Sequence, residues 1–422
     1  MDDKSNSKKI WIIMVVCAVF LLIGNMIRSG LEEKAKEDKQ LGTEQIEKPT
    51  DEFEENEIRI GLLFSTTGSS AVAEKSMMNA AMLAFDEINE NGGINGKKIK
   101  YLPMDYSSNP TLAGQKIEGL ITEEKVVATV GCYSSASRQA TLPVLEKYNS
   151  LLIYPTYTEG EEVHPNVIYT GAMPNQQATE YIPWLMEKCG KKVFLIGTDY
   201  VFPITSNKQA KHLIEENGGV VCGELYLPAG TIDFADALEQ IKEAEPDFIY
   251  CDLIGDSVVS FYKEYYKMGF SMEECPIAAI TTDEMTLKEM GQCSEGSYAS
   301  MNYFSSLNTE ASRQFVEKYT NYVSDESTIT CLAEATYDSC YLLAKALEKT
   351  EDPYDTKRLI DAFSGLEFDA PQGKIRVDEN NHCTWLYARF AVVHDGKYKI
   401  IYQSKDPIRP EPWSANLYEN KE

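Results

Sequence analysis

The sequence predicts an α/β fold of two doubly wound, Rossmann-like lobes joined by three crossovers. Length is the first observation behind this: 422 residues exceed what a single core commonly holds, roughly 250 to 300 residues, and suit two lobes with appendages. The second is patterning. From residue 58 onward short apolar runs alternate with helical periodicity, the mark of parallel strands linked by crossover helices. The third is repetition, since that strand–helix series occurs twice in succession. A composition of 43% apolar and 25% charged residues is that of a globular chain.

Residues 1–9 form a stub carrying Lys4, Lys8 and Lys9, which the positive-inside tendency puts on the cytoplasmic side. Residues 10–27 are almost wholly apolar, and at helical rise they reach about 27 Å, close to the hydrocarbon thickness of a bilayer. An uncleaved signal anchor, a transmembrane helix, is the expectation. A cleaved signal peptide lacks a small-x-small site near Arg28, and a lipoprotein signal ending at Cys17 has the bulky Val16 where a small residue belongs. Residues 28–57 are an acidic linker. From Leu31 to Glu57 eleven acidic residues face four lysines with little apolar periodicity, as in a flexible tether.

The first series has strands expected at 58–64, 99–103, 126–131 and 151–154, with a helix over 76–91 ended by Asn91-Gly92-Gly93. The second has strands at 193–197, 219–226, 248–253 and 276–281. Crossings are placed near 169–173, 298–304 and 366–369. Residues 305–365 then return to the first lobe as helices and 366–404 to the second as strands. Lobe 1 is accordingly 58–173 plus 305–365, lobe 2 is 174–304 plus 366–410, and 411–422 is a tail.

Ligands of open parallel sheets bind beyond the carboxyl ends of the strands, so the loops at 65–70, 133–137, 154–157, 198–202, 254–256 and 282–284 should face a cleft between the lobes. The loop from Gly131 to Ser137 is dense in hydroxyls and opens a helix. Plain N-capping competes with ligand contact for each serine there. Tyr154-Pro-Thr-Tyr157 and Asp199-Tyr200-Val-Phe-Pro203 add aromatic faces at the same mouth, which suits a small, polar ligand.

Other functions are disfavoured. A formal net charge of -26 opposes nucleic acid, whose phosphates need lysine and arginine at the contact. Ten cysteines are irregularly spaced with no CxxC or Cys/His cluster; most read as small buried hydrophobes, Cys251 among them. Nine lie beyond the leader, so at least one is free or paired with another chain. Of four histidines, His164 reads as loop, His212 as an exposed helix position, and His394-Asp395-Gly396 as a hairpin turn. No HExxH, GxSxG or Walker motif occurs, and no cofactor is implied. Asp252, Asp256, Asp283 and Glu284 read as solvated or capping groups unless burial shifts them.

Several motifs together carry a resemblance running from about residue 58 to 413. They are Gly131-Cys-Tyr-Ser-Ser-Ala-Ser-Arg138, Tyr154-Pro-Thr-Tyr-Thr-Glu-Gly160, Pro165-Asn166, Pro174-Asn-Gln-Gln177, Gly197-Thr-Asp-Tyr-Val-Phe-Pro203, Ala370-Pro-Gln-Gly373 followed by Asn381-His382, and Asp406-Pro-Ile-Arg-Pro-Glu-Pro412. The chain resembles type I periplasmic binding proteins of the branch that takes urea and short aliphatic amides. The resemblance implies a clamshell that captures such a ligand for an ABC-type importer, with permease subunits as partners and no catalysis.

By the same resemblance Tyr133 and Ser135 contact ligand from the first lobe, Tyr154 and Thr156 form the adjacent wall, and Tyr200 closes from the second. That family also contains an intracellular amide sensor acting in transcription antitermination; the apolar leader sets this chain apart, placing it at the cell membrane with its ectodomain extracellular or periplasmic. Asp283 departs from a urea site. It is the candidate partner for the ammonium of a small amino acid, with helix capping as its competing reading. A ligand-sensing receptor subunit and an amino-acid-binding protein stay open as alternatives.

Overall fold

The computed structural model describes residues 56–323 and 328–413. Its first series runs β1 (Glu57–Leu63), α1 (Ala71–Glu90), β2 (Lys98–Met104), α2 (Pro110–Thr122), β3 (Ala128–Gly131), α3 (Ser135–Tyr148), β4 (Leu152–Tyr154) and β5 (Val167–Tyr169). These strands form one parallel sheet ordered β2-β1-β3-β4-β5. The central strands β1, β3 and β4 are covered on both faces, so nearly all of their residues are buried, Arg59 and Thr129 included.

The second series is α4 (Pro174–Gln177), α5 (Tyr181–Cys189), β6 (Lys192–Thr198), α6 (Val201–Glu216), β7 (Val220–Leu227), α7 (Ala235–Ala244), β8 (Phe248–Asp252), α8 (Asp256–Lys267), β9 (Ile277–Ala279), α9 (Glu284–Met290) and β10 (Tyr298–Met301). The chain then returns through α10 (Glu310–Tyr322), α11 (Cys331–Glu348) and α12 (Thr356–Phe363), and ends in β11 (Glu367–Ala370), β12 (Gly373–Val377), β13 (Thr384–Trp385), β14 (Arg389–His394) and β15 (Lys397–Gln403). The second sheet is ordered β15-β14-β10-β9-β8-β6-β7, parallel from β10 to β7 and antiparallel at β14 and β15. The result is the two-lobed α/β arrangement expected from the sequence.

Helix α11 explains how the first lobe is completed. Its residues from Cys331 to Cys340 are all buried, so it is apolar or hydrogen-bonded on every side, and it packs against α1 and over β3 and β4. The small strands β11, β12 and β13 do not join the second sheet as the sequence suggested. They pair among themselves, and their edge leans on the first lobe, where Tyr169 N–H donates to the His382 carbonyl at 2.9 Å. Only β14 and β15 extend the second sheet. Helix α1 also starts earlier than its apolar spacing suggested, at Ala71. Buried Glu74 holds that first turn, accepting from Ser65 N–H at 2.7 Å and from the Ser70 hydroxyl at 2.5 Å.

The β14–β15 connection is the tight hairpin expected at His394-Asp395-Gly396. His394 pairs with Lys397, and Asp395 and Gly396 take the left-handed φ values of 52° and 68° that a two-residue hairpin requires. His212 is half-buried on α6 rather than exposed. The nine described cysteines are free thiols, and Cys132, Cys251, Cys331, Cys340 and Cys383 are buried. Among the described residues no helix is long and apolar enough to cross a membrane; the leader at 10–27 and most of the acidic linker lie outside them.

The chain passes between the sheets at 170–173, at 302–309 and at 364–388. At the first passage a Cβ on Gly171 would meet the Thr156 carbonyl carbon and oxygen at 2.2 Å and the Tyr157 nitrogen at 2.5 Å, all backbone atoms. Gly171→Ala is therefore expected to lower stability by about 1–3 kcal/mol or more, because the obstacle cannot rotate away. A urea-unfolding midpoint equal to that of the parent chain would contradict this.

Candidate functional site

The carboxyl ends of β3 and β4 in one lobe, and of β6 and β9 in the other, carry the residues singled out from the sequence. The hydroxyls of the loop before α3 divide their work. Ser134 is the N-cap, accepting from Ser137 N–H at 3.1 Å, which is the capping role weighed for these serines. Ser135 instead donates to Glu159 Oε2 at 2.6 Å, inside a buried charged network. There Arg138 Nη2 donates to Glu159 Oε1 at 3.0 Å and Nε to Glu162 Oε1 at 2.8 Å, with the Arg138 side chain fully buried.

Tyr133 is held at its backbone from two sides. Its N–H donates to the Tyr106 hydroxyl at 3.2 Å, and its carbonyl accepts from the Tyr154 hydroxyl at 2.8 Å. Tyr154 is wholly buried, with the Arg138 guanidinium 4.9 Å from its ring centre on one side and Tyr169 edge-on at 6.4 Å. The Thr156 hydroxyl donates to the Cys132 carbonyl at 3.1 Å. Tyr154 and Thr156 thus stand behind the 131–134 segment, with their hydroxyls committed to its carbonyls. The Tyr133 ring remains half-buried at the mouth.

Around that ring the two lobes meet. Burial raises the Tyr133 phenol well above its ordinary value, followed by the negative charge of Asp283 and by Tyr200, while a hydrogen bond with Tyr157 opposes the rise. Tyr200 precedes α6, and its phenol is pushed up to about 12 by burial, offset by hydrogen bonding with Ser135 across the cleft. The Tyr157 ring lies 5.3 Å from that of Phe202, and Gln209 Nε2 donates to the Glu159 carbonyl at 2.9 Å. Tyr133, Ser135, Tyr200 and Asp283 are therefore brought together, in a closed arrangement of the lobes.

Asp283 caps α9, its Oδ1 accepting from Met285 N–H at 3.1 Å, so the capping reading holds. It is nonetheless 8% exposed, and burial raises its carboxyl to about 6 against the pull of the Met285 and Thr286 backbone. Beside it Glu284 is raised to about 7, again by burial first, while its Oε1 accepts from Ser305 N–H at 2.6 Å. Among the described residues Asp283 has no ion-pair partner. Asp252, fully buried at the end of β8, is likewise raised to about 7 by burial, with Ser206 opposing.

Sequence reasoning did not select Tyr157, Arg138, Glu159 or Glu284 as site residues. Arg138 and Glu159 each stood near the end of a motif quoted from the sequence, but nothing in either motif marks the two as partners. No group of three histidine, cysteine or acidic side chains suited to a metal occurs among the described residues. A concavity of about 880 Å³ opens at the opposite end of the second sheet, where Asp247, Pro276 and Tyr298 mark the beginnings of β8, β9 and β10.

Two α/β lobes joined by three passages, with the strand-end loops of one meeting those of the other, define a clamshell binding protein. The chain belongs to the periplasmic binding protein domain family, whose model it matches over residues 58–419, and its fold is the type I clamshell. Leu/Ile/Val-binding protein homolog 6 of Brucella suis is 22% identical over 349 residues, 81% of this chain and 89% of that protein. A Pseudomonas aeruginosa protein named for binding leucine, isoleucine, valine, threonine and alanine is 23% identical over 328 residues, 76% of this chain and 86% of its own length.

Among solved structures, an ABC-transporter solute-binding protein of R. palustris in complex with 4-hydroxybenzoate superposes with a TM-score of 0.77 at 21% identity, covering 83% of this chain and 98% of that one. The branched-chain amino acid binding protein LivJ of Streptococcus pneumoniae, in complex with isoleucine, gives 0.74 at 23% identity, covering 84% and 99%.

Proposed function

We propose that this chain is the substrate-binding subunit of an ABC-type importer, tethered to the membrane by residues 10–27, and that it captures urea or a short aliphatic amide between its lobes. The observation that carries the reading is the convergence of Tyr133, Ser135, Tyr157 and Tyr200 with the acid Asp283 where the strand ends meet. Such a ligand presents several N–H donors and one carbonyl. Ser135 already donates to Glu159, so it offers lone pairs to ligand N–H groups, and the tyrosine phenols offer O–H to the carbonyl. The buried Arg138 is committed to two carboxylates, so its charge is already balanced and not on offer to an anionic ligand.

A second reading has its own support. Asp283 is a buried acid without an ion-pair partner among the described residues, and a small amino acid would bring it an ammonium. The names of the two relatives point the same way. Calorimetric titration with urea, acetamide and a panel of aliphatic amino acids, repeated on Asp283→Asn, separates the two. Urea or acetamide is expected to bind the parent chain and to bind Asp283→Asn more weakly. Binding of amino acids alone, abolished in Asp283→Asn, would replace the amide assignment with the amino-acid one.

A further inference from the structure

The three passages between the lobes border a small recess of about 10 Å³, room for one water, lined by Thr170 and Gly171 of the first, Asn302 of the second, and Gln372 and Leu386 of the third. Helix α11 of the first lobe contributes Glu334 to its wall, beside Pro155 and Tyr157. Gln372 clasps that helix. Its backbone N–H donates to Glu334 Oε1 at 2.9 Å, and its side-chain Nε2 donates to Glu334 Oε2 at 3.0 Å and to Asp338 Oδ2 at 3.3 Å. From the other side Arg389, on β14 of the second lobe, donates through Nη2 to the Gln372 carbonyl at 2.5 Å and also bonds the Asn302 carbonyl. The first passage is tied to the same helix, since the Thr170 and Ser339 hydroxyls are 2.6 Å apart. One residue, Gln372, therefore links both lobes at their pivot.

Glu334 and Asp338 lie one helical turn apart, 0% and 2% exposed, and share a single amide donor. Two carboxylates so placed cannot both stay charged without a countercharge. Arg389 supplies one positive charge that acts on Glu334, while its N–H donors go to Asn302, Gln372 and Gln403, so one carboxylate of the pair is balanced and the second is not. The other groups facing the pair are Tyr303 of the second passage and Cys331 and Cys340 of the helix itself, with Asp283 and Glu284 beyond them. None supplies a positive charge.

We propose that Glu334 and Asp338 form a proton-operated catch at the hinge: one proton shared between them keeps the Gln372 clasp closed, and its loss loosens the two lobes. Burial raises both carboxyls, and Glu334 raises Asp338 further, while hydrogen bonds with Asp338 and Gln372 and the charge of Arg389 oppose the rise at Glu334. A carboxyl raised above its unfolded value contributes stability below the ordinary carboxylate range and loses it as pH rises through the folded value. The catch thus holds at mildly acidic pH and opens toward alkaline pH.

Small-angle scattering of the ligand-free protein at pH 5.5 and 8.5 tests this. The parent chain is expected to show a larger radius of gyration at pH 8.5. Asp338→Asn, whose amide stays neutral and still donates to Glu334, is expected to keep the smaller radius at both. Asp283, Glu284 and Asp252 titrate in the same window, so the variant arm assigns the effect. Glu334→Gln serves as a second variant should the first fail to fold. An unchanged radius in the parent chain, or an equal expansion in the variants, overturns the proposal.

Discussion

Arg138→Met is expected to lower the unfolding free energy by about 3–5 kcal/mol, because it strands a carboxylate that the fold has taken out of water. The Glu159 side chain is 4% exposed, and its charge is balanced by Arg138. Methionine fills the space of the arginine stem, so the loss isolates the charge rather than the volume. The pair also orients groups of the cleft, since Ser135 donates to the same Glu159 and Gln209 of the second lobe reaches its carbonyl. Arg138→Lys should recover part of the loss, keeping the charge but not the fork that reaches Glu159 and Glu162 together. Urea denaturation checks both; a loss under about 1 kcal/mol for Arg138→Met, the size of an exposed pair, would show that the network carries no net weight.

Tyr154→Ala should cost about 3–5 kcal/mol of stability, the range for deleting a large buried ring. A ligand-lining tyrosine would instead lose affinity with little change in stability, the behaviour expected of Tyr200→Ala at about 1–3 kcal/mol of binding. The distinction follows from placement: Tyr154 is wholly buried between Arg138 and Tyr169. Tyr154→Phe removes only the hydrogen bond to the Tyr133 carbonyl, and should cost about 1 kcal/mol. Unfolding midpoints for the two variants give the comparison. A stable Tyr154→Ala with weakened binding would restore it to the ligand wall.

How far the sequence reached differs from residue to residue. The strands at 58–64, 193–197 and 248–253 were legible to within a residue or two, because a strand buried on both faces writes itself as a short apolar run. The start of α1 was not. Its first turn is fixed by Glu74, a polar residue that periodicity reads as solvent-facing, and its partner Ser65 lies outside the helix. The gathering of the strand-end loops at one cleft was legible from the order of elements. Which hydroxyls are spent on the protein's own carbonyls was not, because Tyr154 and Thr156 look the same in sequence whether they line a pocket or support the loop in front of it.

The sequence by itself determined that there are two α/β lobes, where most strands of the two series fall, and that the loops from Gly131, Tyr154, Thr198 and Thr282 share one cleft. Each of these follows from local pattern: apolar period, a cap beside its helix, a turn whose backbone only certain residues adopt. Tertiary structure alone decided the pairings that give those residues their roles. Ser135 meets Glu159 across 24 positions, Gln209 meets the Glu159 carbonyl across 50, Gln372 meets Glu334 across 38, and Thr170 meets Ser339 across 169. No period in the chain encodes such partners. They exist because a buried polar group must find a hydrogen bond wherever packing has left it, and which group lies within reach is settled only when the lobes are assembled.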